Sequence, residues 1–205
     1  MLRVGLTGGI ASGKSTVTSM LRDRDCQVLD ADVLAHELLE PGQEAYDEVV
    51  REFGEGILAP GGAVDRRKLG EIVFSDTQKR NRLNQILHPR IQDIVAKWFA
   101  ALDRPGGPEL AFEDAALILE AGATKNFDRV VVCWCRPEQQ LERLKERGYS
   151  IEDAKRRIAA QMPIDEKRRM ADEVIDCSGS VEETERQVDR MLAKLKHAAL
   201  QGNNS

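Results

Sequence analysis

The chain has 205 residues, 41% hydrophobic and 32% charged, with a net charge of -5 at pH 7. An acidic balance of this kind argues against nucleic acid or an anionic membrane as the main partner, since both need a large basic surface, and leaves room for local basic patches. The length suits one core with an excursion, being long for a minimal domain and short for two independent ones.

No basic N-terminal region precedes a long apolar run, and no stretch approaches the length of a membrane span. A soluble, unprocessed, cytoplasmic chain is expected. Cys26, Cys133, Cys135 and Cys177 show no paired metal-ligand spacing, so they read as reduced thiols, with Cys133 and Cys135 in the core.

In chain order, Leu2 to Thr7 is short, apolar and ended by glycine, which predicts a buried parallel strand. Next comes Gly8-Gly9-Ile10-Ala11-Ser12-Gly13-Lys14-Ser15-Thr16, a phosphate-binding loop pattern. Glycines let successive backbone N–H groups approach phosphate oxygens, and the helix starting near Lys14 points its positive end at the same charge. Lys14 is expected to reach the β and γ phosphates and Ser15 to offer a hydroxyl to magnesium. Thr16 either bonds the α phosphate or caps the turn. Gly8, Gly9, Ala11, Ser12 and Gly13 complete the nucleotide-binding set.

Gln27 to Leu29 predicts a second strand that delivers Asp30 and Asp32 to its C-terminal end, on one side if the strand persists. Helical patterns follow at Val33 to Leu39, Ala45 to Phe53, from Asp65 through Phe74, Thr77 to Leu87 and Pro89 to Leu102. Little strand signal lies between residues 40 and 105, so an all-helical insertion is expected there. Further strands are predicted at Leu110 to Phe112, Arg129 to Trp134 and Glu173 to Asp176. Charged helices fill the stretch between the last two, and a helix from about Val181 to Leu200 precedes a frayed tail at Gln201 to Ser205. The sum is an α/β fold, a doubly wound five-stranded parallel sheet with a helical insertion and a helical lid. The nucleotide-binding core takes residues 1–39 and 106–205, the lid about 140–169, and the insertion 40–105.

The remaining residues narrow the phosphate chemistry. Thr124-Lys125-Asn126-Phe127-Asp128 does not supply the Asn-Lys-x-Asp segment that reads guanine. Glu113-Asp114 imitates the acidic pair of ATP-driven motors, but the chain is short and has no coupling module. A small-molecule kinase must exclude water, and a closing helical arm rich in arginine does so. Arg143, Arg147, Arg156, Arg157 and Arg168 are available, and Arg147, beside Gly148 at the tip, is the candidate for phosphate.

Across nearly its whole length the sequence resembles the dephospho-coenzyme A kinases. The resemblance rests on Leu6-Thr7-Gly8-Gly9-Ile10 with Ser12 to Thr16, on Asp30-Ala31-Asp32, and on Asp65-Arg66 with Leu69, Val73 and Phe74. It continues through Leu83-Asn84, Leu87-His88-Pro89, Asp114-Ala115-Ala116-Leu117 with Glu120, Gln161-Met162-Pro163 and Val174-Ile175-Asp176. Ala116 departs from the usual proline, Leu119 from an aromatic and Cys177 from asparagine.

The resemblance implies ATP-dependent phosphorylation of the ribose 3'-hydroxyl of dephospho-coenzyme A, the last step of coenzyme A biosynthesis. It implies Asp32 as the base and Lys14 and Arg147 on the transferring phosphoryl. Ser15 and Asp114 would serve magnesium, while Arg66 and His88 would serve the acceptor. The partners are then the small molecules ATP and dephospho-coenzyme A, and the chain works as a monomer or small homo-oligomer. A kinase for another small acceptor would share loop and lid but not the Asp65 to Pro89 block. A nucleotide-binding regulator without catalysis would keep Lys14 and lose the base.

Overall fold

A computed structural model describes residues 1–202 of the chain. Five strands, β1 (Leu2–Gly8), β2 (Gln27–Asp30), β3 (Leu110–Asp114), β4 (Arg129–Trp134) and β5 (Glu173–Asp176), form one parallel sheet in the order β2-β3-β1-β4-β5. β1 lies at its centre because its Val4 and Leu6 are wholly buried, and a strand covered on both faces and both edges must be apolar. The strands flanking β1 are β3 and β4, so its C-terminal end opens where the strand order reverses. Open α/β sheets bind ligands at that edge.

The chain divides into two compact units, Met1–Asp30 with the residues from Phe99 onward, and Ala31–Trp98. In the first unit, α1 (Lys14–Arg22) and α9 (Val181–Gly202) cover one face of the sheet, packing Val17, Leu21, Val188 and Leu195 on Leu6, Phe112 and Val131. On the other face Val130 and Val132 meet Leu119 and Ile164. Each large apolar side chain buried this way contributes about 1.5–3 kcal/mol. Helices α6 (Pro137–Glu146), α7 (Ile151–Ala159) and α8 (Ile164–Arg169) fill the stretch between β4 and β5. Ser150 caps α7 by accepting the Asp153 N–H at 3.1 Å.

The second unit holds α2 (Ala31–Glu37), α3 (Tyr46–Phe53), α4 (Arg66–Ser75) and most of α5 (Thr77–Leu102). Its core gathers Leu39, Val49, Ile57, Leu69, Val73, Ile86 and Leu87. An isolated antiparallel bridge joins Leu58 to Val64.

Three expectations are corrected. The strand expected to carry both acidic residues ends at Asp30, and Asp32 sits in the first turn of α2. The run from Ala31 to Glu37 favours helix, and a carboxylate is welcome beside the positive helix end. The two helices expected on either side of His88 are one 26-residue helix with Pro89 inside it. Proline cannot donate its backbone hydrogen bond and crowds the preceding turn. The carbonyl that loses its amide partner is that of Gln85, four residues before the proline, while the next one, Ile86, accepts the Arg90 guanidinium Nη1 at 2.6 Å. Ile86 and Leu87 before the proline and Ile91 and Ile94 after it all pack on the same core, which favours continuity. The tail expected from Gln201 begins as helix, α9 running to Gly202, and residues 203–205 lie outside the described part.

Candidate active site

The loop after β1 is shaped by close approaches that no side chain would permit. A Cβ on Gly8 would lie 2.5 Å from Ser12 Oγ and 2.8 Å from the Cys133 carbonyl, and one on Gly9 would lie 2.5 Å from Gln140 Nε2. Gly13 has φ of 104°, and a Cβ there would meet Cys177 at 2.7 Å. Ala11 also takes a positive φ, 58°. The loop then feeds α1, whose N-cap Gly13 offers no side-chain cap and whose first turn holds no acid. Its first N–H groups are left for an anion.

Side chains from the helical segment that follows β4, and from the turn between α7 and α8, hold the loop's backbone. Gln140 Nε2 donates to the Ile10 carbonyl at 2.7 Å, and Gln161 Oε1 accepts the Ile10 N–H at 2.7 Å. Arg143 donates to the Ala11 carbonyl at 3.1 Å and to the Cys177 carbonyl at 2.6 Å. Lys167 Nζ donates to the Gly8 carbonyl at 3.1 Å. A trans peptide points its C=O and N–H in opposite directions. Each restrained carbonyl therefore sends the next amide the other way. Ser12 Oγ is buried without a hydrogen-bond partner, and the residue is 1% exposed. An orphaned hydroxyl among oriented amides fits a phosphate oxygen.

Lys14 Nζ donates to Asp114 Oδ1, and Thr18 Oγ1 donates to Asp114 Oδ2 and, at 3.0 Å, to the Lys14 carbonyl. Asp114 is 2% exposed at the end of β3. Burial pushes its carboxyl above the ordinary value, the Lys14 ammonium and the two donated hydrogen bonds pull it back, and Asp30 pushes it up again. Asp30 faces it across the β2–β3 register. Its neighbour Glu113, pointing to the other face of the sheet, is pushed up to about 7 by burial and by Asp114. Ser15 and Thr16 are exposed on the first turn of α1. Ser15 and Asp114 are hard oxygen donors of the kind magnesium takes together with phosphate. Among the described residues no three acidic, histidine or cysteine side chains converge on a metal ion by themselves.

Arg147 closes α6 as its C-cap, exposed and followed by Gly148 with φ of 87°. The loop contact falls instead to Arg143, one turn earlier. Sequence reasoning grouped Arg143 with the lid arginines and gave no role to Thr18, Gln140 or Lys167. The available signal was spacing. Lys167 is three residues from Ile164, on the same buried face of α8. Thr18 lies one turn after Lys14 in α1 and is buried beside it.

On the second unit, Asp32 is exposed in the first turn of α2, two residues beyond β2. Arg66 is exposed as the first residue of α4. The preceding Asp65 caps that helix by accepting the Arg67 and Lys68 N–H groups at 2.9 and 3.2 Å. A guanidinium at a helix N-terminus concentrates positive charge in one place. His88 is half-buried within α5, and burial holds its imidazole below the ordinary value. It is therefore neutral at pH 7 and offers hydrogen bonds instead of charge.

A central strand feeding a glycine loop, with a lysine paired to an acid on the neighbouring strand, defines the site of a P-loop kinase. The family model described as dephospho-CoA kinase matches residues 2–183, and the chain belongs to that family. The chain is 47% identical to the dephospho-CoA kinase of Geobacter sulfurreducens over 192 residues, covering 93% of this chain and 97% of that one. TT1252 from Thermus thermophilus superposes with a TM-score of 0.78 at 34% identity, covering 95% of this chain and 97% of that one. The dephospho-CoA kinase from Campylobacter jejuni gives a TM-score of 0.69 at 27% identity, over 96% of this chain and 98% of that one.

Proposed function

We propose that the chain transfers the γ-phosphoryl group of ATP to the ribose 3'-hydroxyl of dephospho-coenzyme A, the last step of coenzyme A biosynthesis, with Asp32 as general base. The observation that carries this reading is the held loop, with its orphaned Ser12 hydroxyl and the Lys14–Asp114 pair, in a chain of this family.

Gly8, Gly9, Ala11, Ser12 and Gly13 bind the phosphates through backbone amides and the Ser12 hydroxyl, and Thr16 adds its hydroxyl at the helix start. Lys14 leaves Asp114 for the β and γ phosphates, which pull harder on an ammonium than one carboxylate does. Ser15 and Asp114 would hold magnesium brought by ATP, which would neutralise charge on the transferring group. Asp32 takes the proton of the attacking 3'-hydroxyl as the new oxygen–phosphorus bond forms and the bond from the γ-phosphorus to the bridging oxygen breaks. ADP leaves with that oxygen. Arg147 covers the γ phosphate from the lid formed by α6 to α8. Arg66 binds the acceptor's diphosphate and neutral His88 donates or accepts a hydrogen bond to it, so the second unit is the acceptor-binding one.

No described helix is long and apolar enough to cross a membrane. The substrates are cytoplasmic small molecules, and a monomer or small homo-oligomer suffices for them. An acceptor panel tests the reading. ADP release should be stimulated by dephospho-coenzyme A and not by nucleosides or shikimate, and mass spectrometry should find coenzyme A. Stimulation by another acceptor alone would overturn it.

A further inference from the structure

Helix α8 carries three cations in succession, Lys167, Arg168 and Arg169, and they do different things. Arg168 lies over the Trp134 ring, 4.4 Å from its centroid. Arg169 is exposed. Lys167 is 0% exposed, and its ammonium meets the carbonyls of Gly8 at 3.1 Å and Ala116 at 2.7 Å and the Glu120 carboxylate at 2.8 Å. An ammonium has three donors, and these three acceptors match them. Taking such a charge out of water costs several kcal/mol, which pairing only offsets, so an apolar residue beside Ile164 would serve stability as well or better. A buried ammonium there points to another task.

Its acceptors identify that task. Gly8 is the last residue of β1 and the first of the phosphate loop. The Ala116 carbonyl also accepts Thr7 Oγ1 at 3.1 Å, and Glu120, with a side chain 22% exposed, also accepts the Met162 N–H at 3.0 Å. One ammonium thus joins the loop, the segment after β3 and the entry to α8. The contact at Ala116 is to its backbone, so alanine in place of the family's usual proline leaves it intact. The Gly8–Gly9 peptide has no side chain on either residue, and glycine backbone turns freely unless something holds it. With the Gly8 C=O fixed on Lys167, the Gly9 N–H faces away from it.

We propose that Lys167 is a positioning residue of the nucleotide site, sealed against Glu120 and holding the Gly8–Gly9 peptide so that the Gly9 amide is presented to the ATP phosphates. The inference rests on the assignment of the loop to ATP.

The test compares wild type, Lys167→Met and the double variant Lys167→Met/Glu120→Gln. ATP dissociation constants are taken by calorimetry, with thermal melts and the KM for each substrate. Lys167→Met strands the Glu120 carboxylate and lowers the melting temperature. The double variant removes both charges, keeps an amide oxygen for the Met162 N–H, and regains most of the lost stability. A positioning role predicts that ATP affinity stays at least about tenfold below wild type in the double variant, the loss of one charged hydrogen bond. The KM for dephospho-coenzyme A should stay within about twofold, since uniform binding of the other substrate is untouched. ATP affinity recovering with the melting temperature overturns the proposal and leaves Lys167 a purely structural residue. Where Lys167→Met does not fold, the double variant alone decides by the same criterion. Wild type without affinity for ATP would instead overturn the assignment of the loop.

Discussion

Replacing Glu113 with glutamine should stabilise the folded chain at alkaline pH and change little at acid pH. Glu113 sits in β3 between Gly5 of β1 and Leu29 of β2, and burial, then the charge of Asp114, raises it from 4.5 to about 7. Below pH 4.5 the residue is protonated whether the chain is folded or not. Between 4.5 and 7 the unfolded chain releases a proton that the folded chain keeps, so stability falls as pH rises. Above 7 the folded protein carries a poorly solvated carboxylate, and the loss is constant. Moving a midpoint from 4.5 to about 7 corresponds to about 3 kcal/mol at pH 8, reduced to roughly 2 by the solvent Glu113 retains. Glutamine keeps the volume and a hydrogen-bonding amide but cannot ionise. For a chain of this length that gain amounts to about 4–8 °C in melting temperature. Melts of both proteins without nucleotide, taken from pH 4.5 to 8.5, should show curves that coincide at the acid end and part with rising pH. A pH-independent gap, or a variant less stable at pH 8, would mean that Glu113 does not ionise at a cost in the folded chain.

Other outcomes follow from the same geometry. Lys14→Met should lower kcat/KM by about 10²–10³, the worth of a charge aimed at the reacting phosphoryl group, as steady-state kinetics would read. Gly9→Ala should push Gln140 off the Ile10 carbonyl, costing about 1–3 kcal/mol in denaturant unfolding and weakening ATP binding. Thiol titration of the native protein at neutral pH should find Cys26 first, slowly because burial raises its thiol, while Cys133, Cys135 and Cys177 should react only on unfolding.

The sheet was legible because its strands are short apolar runs with clear stops. Arg129–Trp134 and Glu173–Asp176 begin and end where pattern and breakers place them. The glycine loop was legible because its chemistry needs those residues at that spacing. What local pattern misread was settled by tertiary packing. Pro89 reads as a helix break, yet a core shared by the residues before and after it carries α5 through. Asp30 and Asp32 read as one strand face, yet helix propensity turns the chain between them. Glu113 and Asp114 belong to β3 although charged, because Lys14 and Thr18 satisfy the second of them. Lys167 lay in a run of basic residues that reads as a solvated face. Its burial depends on Gly8, Ala116 and Glu120, which are distant in sequence, and no local period reports that.

The role of Asp32 as base for phosphoryl transfer to dephospho-coenzyme A is read out by single-turnover formation of coenzyme A from preformed ternary complex, for wild type and Asp32→Asn. The variant should bind both substrates as wild type does and transfer at least ~100-fold more slowly, the cost of losing a general base. Transfer at the wild-type rate would rule Asp32 out as the base.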